Sequence, residues 1–251
     1  MSAQRATGDV EMTIVEHLEE LRDRLIVMVV ALVVSTGFSA IFTRWLLNVL
    51  MRIPGPEFQP VALSPVEPVV VYMKVALIAG VGLAMPVILY EVVRYLLPAL
   101  TPEEKGYLYM LLPLATVSYL VGVAFAVTLV LPAAMGFLIN FLPEVLKLWS
   151  LDKYISFVTT VMFWMGVIFE LPVVLFFLTK LGIVNAAMLS RLRRVAIVAS
   201  AVIAAVVTPT PDPVNMLIVM VPLVLLYELG ILLSRLAARR GPRVSSSHGA
   251  G

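Results

Sequence analysis

The stretch YISFVTTVMFWMGVIFELPVVLFFLTKL, residues 154–181, decides the fold. It is an almost unbroken apolar run with one acid inside it, Glu170. A helix crosses a bilayer with about 20 apolar residues at about 1.5 Å each, so this run predicts a transmembrane helix with Glu170 in the hydrocarbon. An ionised acid there costs about 2.5 to 3.5 kcal/mol, so we expect Glu170 to be protonated, paired with a partner helix or wetted by a cavity. Pro172 predicts a kink that frees nearby carbonyls for a partner.

Two interpretations of Glu170 stay open at this point. It is either a structural acid bonded to another helix of the same chain or a functional intramembrane acid.

The rest of the chain is equally apolar, with 61% hydrophobic and 14% charged residues among 251. These fractions predict an all-α integral membrane protein that crosses the bilayer several times. The apolar segments lie at about 26–47, 69–93, 107–131, 155–180, 195–207 and 214–233. The last two are predicted to be short, since 195–207 would extend only about 20 Å and the apolar part of the last is comparable. We expect one six-helix domain over residues 1–235 and a flexible tail over 236–251.

The segments outside the predicted spans also carry patterns. Residues 10–25 predict an amphipathic helix that lies on the membrane surface, begun by a capping box of Thr13 and Glu16. The loop 48–68 is rich in proline and predicts a stiff extended cap with little helix. The loop 132–153 is predicted to be partly helical and to lie along the outer membrane face.

Basic residues give the orientation. If both termini are cytoplasmic, 13 of the 18 lysines and arginines lie on the inner side. The excess of positive charge on cytoplasmic loops therefore predicts that both termini are cytoplasmic.

The sequence offers little for catalysis. It has no cysteine, and its only two histidines, His17 and His248, are not spaced to share a metal ion. Neither a glycine-flanked serine nor a phosphate-binding glycine loop occurs. We therefore predict no enzyme activity, no metal site, no cofactor and no nucleic-acid partner.

Several acids cluster on the predicted cytoplasmic side. They are Glu16, Glu19, Glu20, Glu91, Glu103 and Glu104. Each has a local explanation, such as pairing of Glu20 with Arg24 one turn later, or placement of Glu103 and Glu104 in a first helical turn after Pro102. The alternative is an acidic pocket for a cationic ligand, in which two carboxylates read two adjacent guanidinium groups and discriminate against lysine.

A series of short motifs runs along the chain: HLEELRDRL (17–25), SPVE (64–67) with Lys74 further on, PVILY (86–90), PAL (98–100) followed by Glu104, Gly122 and Phe125 with Pro132, FELP (169–172), Thr208-Pro209 to Asp212, and Pro222 with LYE (226–228). With these motifs the chain resembles the TatC family, the multi-spanning receptor subunit of the twin-arginine protein translocase. Their order and spacing extend over about residues 12–235.

The resemblance implies six helices arranged as a curved wall with a concave face in the bacterial inner membrane. It implies binding of twin-arginine signal peptides at the cytoplasmic face, assembly with single-spanning subunits of the TatA and TatB type into a hetero-oligomer, and export of folded proteins driven by the proton gradient. The implied signal-peptide residues are Glu20 and Glu104 as receivers of the arginines, with Glu91, Glu103, Arg22 and Tyr95. The implied partner region contains Glu170, Thr208, Asp212 and Met216. The motif residues with an implied structural role are Pro65, Glu67, Pro86, Pro98, Pro172 and Pro209.

Departures from the family pattern affect both sites. Glu91 stands where a glutamine is usual and adds a third acid, while Tyr95 stands where phenylalanine is common and Met216 replaces a polar residue. A different class of function remains as the alternative, a small proton-coupled solute transporter in which Glu170 and Asp212 relay ions.

Overall fold

The computed structural model of the protein describes residues 14–55, 58–96, 102–141, 144, 148–208 and 213–238. Over these residues the chain is helical, apart from turns and one isolated backbone bridge, which confirms the predicted all-α class. The helices are α1 (Ile14–Ala40), α2 (Thr43–Met51), α3 (Glu67–Leu96), α4 (Pro102–Phe125), a π-helical segment (Ala126–Val130), α5 (Leu131–Asn140), α6 (Leu151–Phe169), α7 (Leu171–Lys180), α8 (Ala186–Arg191), α9 (Arg193–Val207) and α10 (Pro213–Ala238).

Among the described residues, five helical stretches are long and apolar enough to cross a membrane. They are Val15–Ala40, Glu67–Tyr95, Leu112–Asn140, Leu151–Lys180 and Pro213–Ala237. The remaining predicted segment, 195–207, corresponds to α9, whose 15 residues extend about 22 Å, short of the roughly 30 Å hydrocarbon core.

The first helix is longer at its start and shorter at its end than predicted. α1 runs unbroken for 27 residues, so the separate surface helix over 10–25 is wrong from Ile14 onward, and Thr13 lies outside the described residues. No proline occurs in α1 to end it at residue 25.

The chain turns after Ala40, before the predicted end at residue 47. The amide of Phe42 donates to the carbonyl of Ser39 at 3.0 Å, and α2 begins one residue later. The loop predicted over 48–68 with little helix is therefore wrong at its start, where α2 continues to Met51.

The third segment is also longer than predicted. α4, the π-helical segment and α5 follow one another without a break from Pro102 to Asn140. Pro132 lacks an amide hydrogen, and its ring would clash with the carbonyl four residues earlier, which accounts for the wider π-helical turn just before it. The partly helical character predicted for 132–153 is therefore confirmed at residues 132–140, although this helix continues the third segment and does not form a separate one.

The prediction of two short final segments is confirmed for α9 and wrong for α10. α10 has 26 residues and extends about 39 Å. Glu228 does not end it, because the apolar sequence resumes at 229–233 and Arg193 of α9 donates to Glu228 at 2.7 Å. Pro222 lies inside the helix without ending it.

α6 forms the centre of the packed helices and contacts both α3 and α4. Ile155, Val158 and Met165 on it are fully buried. Glycines allow the close approach of α4 and α6: a Cβ added at Gly122 would lie 2.6 Å from the carbonyl oxygen of Met165, and one at Gly166 would lie 2.4 Å from the Tyr119 ring. Small residues at such crossings are typical of membrane helices, whose association depends on close van der Waals packing.

Glu67 fastens two connecting segments at one end of the bundle. One of its carboxylate oxygens accepts from the amides of Leu63 and Ser64 at 2.6 and 3.2 Å. The other accepts from the Ser150 hydroxyl at 2.8 Å and from the amide of Asp152 at 2.5 Å. This network supports the structural role expected of Glu67, and Pro65 lies in the turn that leads into α3. Pro86 lies inside α3 without interrupting it.

Candidate functional site

Two of the predicted acids meet at the opposite end of α3, where α1 begins. Glu20 lies on α1 and Glu91 lies on the last turns of α3, and the guanidinium of Arg24 lies between them. Arg24 donates through Nη2 to Glu20 Oε1 at 2.8 Å and through Nη1 to Glu91 Oε2 at 2.7 Å. We call these three side chains the arginine clamp.

The arginine clamp is largely shielded from solvent. The side chains of Arg24, Glu20 and Glu91 are 14%, 19% and 8% exposed. Two carboxylates and one guanidinium carry a net charge of −1, so the clamp stays acidic with Arg24 in place. Within the described residues, the second oxygen of Glu20 is buried without a hydrogen-bond partner.

The sequence predicted part of the clamp. Pairing of Glu20 with Arg24 at i+4 was expected and is confirmed. The contact of Arg24 with Glu91, 67 residues away, was not, because no local spacing reports it. The sequence signals only the pair within α1, because Arg24 lies one turn after Glu20 on the same face of that helix.

An aromatic pair lies beside the clamp. The rings of His17 and Tyr95 stack with centroids 4.6 Å apart and an angle of 14° between their planes. The sequence predicts Tyr95 in the site but gives no prediction for His17. Arg22, also predicted here, is 66% exposed and pairs with its neighbour Asp23 at 2.9 Å, so it does not enter the clamp.

The remaining predicted acids are only partly described. α4 begins at Pro102, which confirms that Glu103 and Glu104 lie in a first helical turn. The side chains of both acids are outside the described part of the structure, as is Pro98.

Glu170 lies at a helix break in the middle of the bundle. α6 ends at Phe169 and α7 begins at Leu171 with Pro172 as its second residue, so the predicted kink is confirmed. Glu170 is 4% exposed, and within the described residues neither carboxylate oxygen accepts a hydrogen bond of ordinary geometry. The backbone of Tyr119 on α4 lies near the carboxylate, so the structural interpretation, in which another helix of this chain bonds the acid, stays open beside the functional one.

The surroundings of Glu170 come from α4. Tyr119 is its polar neighbour, and the buried Tyr119 hydroxyl also lacks a partner within the described part of the chain. The Ser118 hydroxyl donates to the carbonyl of Phe169 at 2.6 Å and so satisfies a backbone acceptor at the break. The polar groups left over around this break are thus an acid and a phenol.

The predicted partner residues of the last two helices are partly described. Thr208 ends α9 and donates to the carbonyl of Ala204 at 2.9 Å, and Met216 is half-buried against the core. Asn215, the neighbour of Met216, is 2% exposed and was missed, although a polar residue at the start of an apolar helix is a readable signal. Pro209 and Asp212 lie outside the described residues.

No group of three or more histidine, aspartate or glutamate side chains that could hold a metal ion occurs among the described residues. The structure instead offers two separate acidic sites. One is the arginine clamp, and the other is the single buried acid Glu170.

Comparison with known proteins agrees with the sequence motifs. Residues 16–222 match the family described as Sec-independent protein translocase protein (TatC). The TatC protein of Aquifex aeolicus is 35% identical over 94% of this chain and 100% of its own, and that of Deinococcus radiodurans is 40% identical over 88% and 84%. A crystal structure of the twin arginine translocase receptor TatC superposes with a TM-score of 0.78 at 36% identity, covering 89% of this chain and 100% of the other. The chain belongs to the TatC family.

Proposed function

We propose that this chain is the receptor and core subunit of a twin-arginine protein translocase, and that it receives the paired arginines of a signal peptide at the arginine clamp. The family is not enzymatic, so the site is a binding site. The observation that carries the proposal is a guanidinium already held by two carboxylates at 2.7 and 2.8 Å. Such charge-assisted hydrogen bonds favour the planar fork of arginine over the single ammonium of lysine.

Further residues are included in the proposed site. Glu103 and Glu104, in the first turn of α4, are proposed as additional acids. The stacked rings of His17 and Tyr95 offer a flat surface beside the acids, and guanidinium groups stack well on such surfaces. Arg22, exposed and paired with Asp23, lies at the edge of the site.

The proposed topology places the clamp in the cytoplasm. Five described stretches are long enough to span the membrane, and we propose that α9 adds one further crossing, which makes six. An even number of crossings puts both termini on the same side, which we propose is the cytoplasmic side of a bacterial inner membrane. The excess of basic residues on that side supports this orientation. A 15-residue crossing requires local thinning of the bilayer or shelter by partner proteins. The crossings belong to one domain over residues 1–235, arranged as a curved wall with a concave face.

The second site is proposed to dock single-spanning subunits of the TatA and TatB type, giving a hetero-oligomer that exports folded proteins with the proton gradient. Support comes from Glu170, a buried acid without a hydrogen-bond partner among the described residues, since a polar group on a partner helix would satisfy it. Thr208, Met216 and the region of Asp212 belong to the same proposed docking region. A solute transporter remains the alternative only if the protein alone moves solute or protons across liposomes.

Photo-crosslinking tests the binding site. A photoreactive residue at Tyr95 is expected to crosslink a signal peptide carrying Arg-Arg and to lose the crosslink with Lys-Lys. The control probe replaces Leu63, a 74% exposed residue at the other end of α3, and should capture neither peptide. Equal crosslinking of both peptides at Tyr95, in folded protein, would contradict the proposal.

A further inference from the structure

The arginine clamp is occupied by the protein's own arginine. Arg24 makes the same contacts with Glu20 and Glu91 that an incoming guanidinium would need. A ligand arginine and the Arg24 side chain therefore compete for the same carboxylate oxygens.

Arg24 is not the main attachment of α1 to α3. The Tyr72 hydroxyl of α3 donates to the carbonyl of Ala40, and Ser39 of α1 donates to the carbonyl of Ala76. Further along, the two backbones approach so closely that a Cβ at Gly80 would lie 2.7 Å from the Cα of Thr36. These contacts lie well away from the clamp, so α1 stays packed on α3 when the guanidinium of Arg24 leaves.

Displacement of Arg24 is also balanced in charge. The clamp with Arg24 carries −1, and the empty pair of carboxylates would carry −2, which matches the two positive charges of a twin-arginine motif. Burying two unpaired carboxylates without a ligand is costly, so Arg24 is a suitable occupant of the resting site.

We propose that Arg24 is an internal competitor that occupies the signal-peptide site at rest, and that binding exchanges its guanidinium for those of the ligand. This inference rests on the proposed function. Arg24 thereby lowers the affinity for every cationic ligand that must displace it and makes binding readily reversible. Because the cost of displacing Arg24 is the same for each such ligand, it leaves the ratio of Arg-Arg to Lys-Lys affinity unchanged.

The test measures affinity of Arg-Arg and Lys-Lys peptides for the purified full chain, by fluorescence anisotropy at physiological salt. Arg24→Gln should bind both peptides about tenfold or more tightly, because it removes charge-assisted hydrogen bonds that the ligand must break. Arg24→Lys should show a smaller gain, since one ammonium replaces the two-pronged fork.

The matched control is Arg194→Gln, which removes the same charge from an exposed side chain at the start of α9, outside the proposed site. Screening by salt limits its effect to about twofold, so a gain for Arg24→Gln no larger than that of Arg194→Gln overturns the exchange. Unchanged or weaker binding by folded Arg24→Gln overturns it as well. If that variant does not fold, Arg24→Lys decides, and unchanged or weaker binding then refutes the proposal.

The two proposals fail separately. If the unaltered chain binds Arg-Arg and Lys-Lys peptides equally, the proposed site is wrong whatever Arg24 does. If the unaltered chain prefers Arg-Arg and Arg24→Gln shows no gain, the site stands and only the competition is refuted.

Discussion

Replacing Gly166 with alanine should destabilise the bundle, because the new methyl group has no room. Its carbon would lie 2.4, 2.7 and 2.8 Å from three atoms of the Tyr119 ring. The ring cannot move away, since it is fully buried and a Cβ at Gly82 on its other side would lie 3.1 Å from it. Overpacking costs about 1 to 3 kcal/mol, and three such contacts against an immobile ring place Gly166→Ala at the upper end.

Alanine also gains about 1 kcal/mol over glycine inside a helix, which leaves a net loss of about 2 kcal/mol. For a protein of this length that corresponds to a melting temperature about 4 to 8 °C lower. The assay is thermal unfolding of detergent-solubilised protein, followed by loss of the monodisperse peak in size-exclusion chromatography.

Gly136→Ala is the matched control, since an added Cβ at Gly136 meets no atom within 4 Å. It should raise the melting temperature by about 2 to 4 °C through helix propensity alone. Tyr119→Leu in the Gly166→Ala background should recover part of the loss, because the smaller side chain leaves room for the methyl group. A Gly166→Ala protein as stable as the unaltered chain, or a control that loses as much, would refute the packing.

Three further outcomes are expected. Glu67→Gln should lower the melting temperature, because the amide nitrogen of glutamine cannot accept the two hydrogen bonds that one carboxylate oxygen of Glu67 receives. The control Glu144→Gln, in an exposed turn, should leave the melting temperature unchanged. Equal melting curves for the two variants would show that Glu67 does not fasten the connecting segments. Arg193→Ala should cost less than about 1 kcal/mol in the same assay, because its partner Glu228 is half-exposed, and a larger loss would show that this pair holds α9 to α10. Glu170→Ala should bind signal peptide within about twofold of the unaltered chain but fail to co-purify with single-spanning subunits; normal co-purification would exclude the docking role.

The long apolar helices could be read from the sequence because their signal is local. Hydropathy placed the segments that became α3 and the α6–α7 pair close to their observed bounds, and Pro172 predicted the break at Glu170. The turn after Ala40 could not be predicted, since no glycine or proline marks it. The length of α10 was underestimated because Glu228 reads as a polar end until its partner Arg193 is known.

The candidate sites show the same division between local and distant information. The pair of Glu20 and Arg24 follows from helical spacing, and the resemblance to TatC directed attention to Glu91. The Arg24 guanidinium contacts both Glu20 and Glu91 only because α1 packs on α3, and no spacing in the sequence encodes that packing. Likewise, the sequence predicted a buried acid at Glu170 but could not show that its oxygens find no hydrogen-bond partner among the described residues.

The most direct test of the central claim is the ratio of affinities for Arg-Arg and Lys-Lys signal peptides, measured with the unaltered chain and with Glu20→Gln. The ratio is the right quantity because the cost of displacing Arg24 cancels from it. The unaltered chain should prefer Arg-Arg by about tenfold or more, since lysine cannot reproduce the two-pronged contact, and the preference should shrink when Glu20 loses its charge. A preference that is the same in folded Glu20→Gln would show that the paired arginines are read elsewhere.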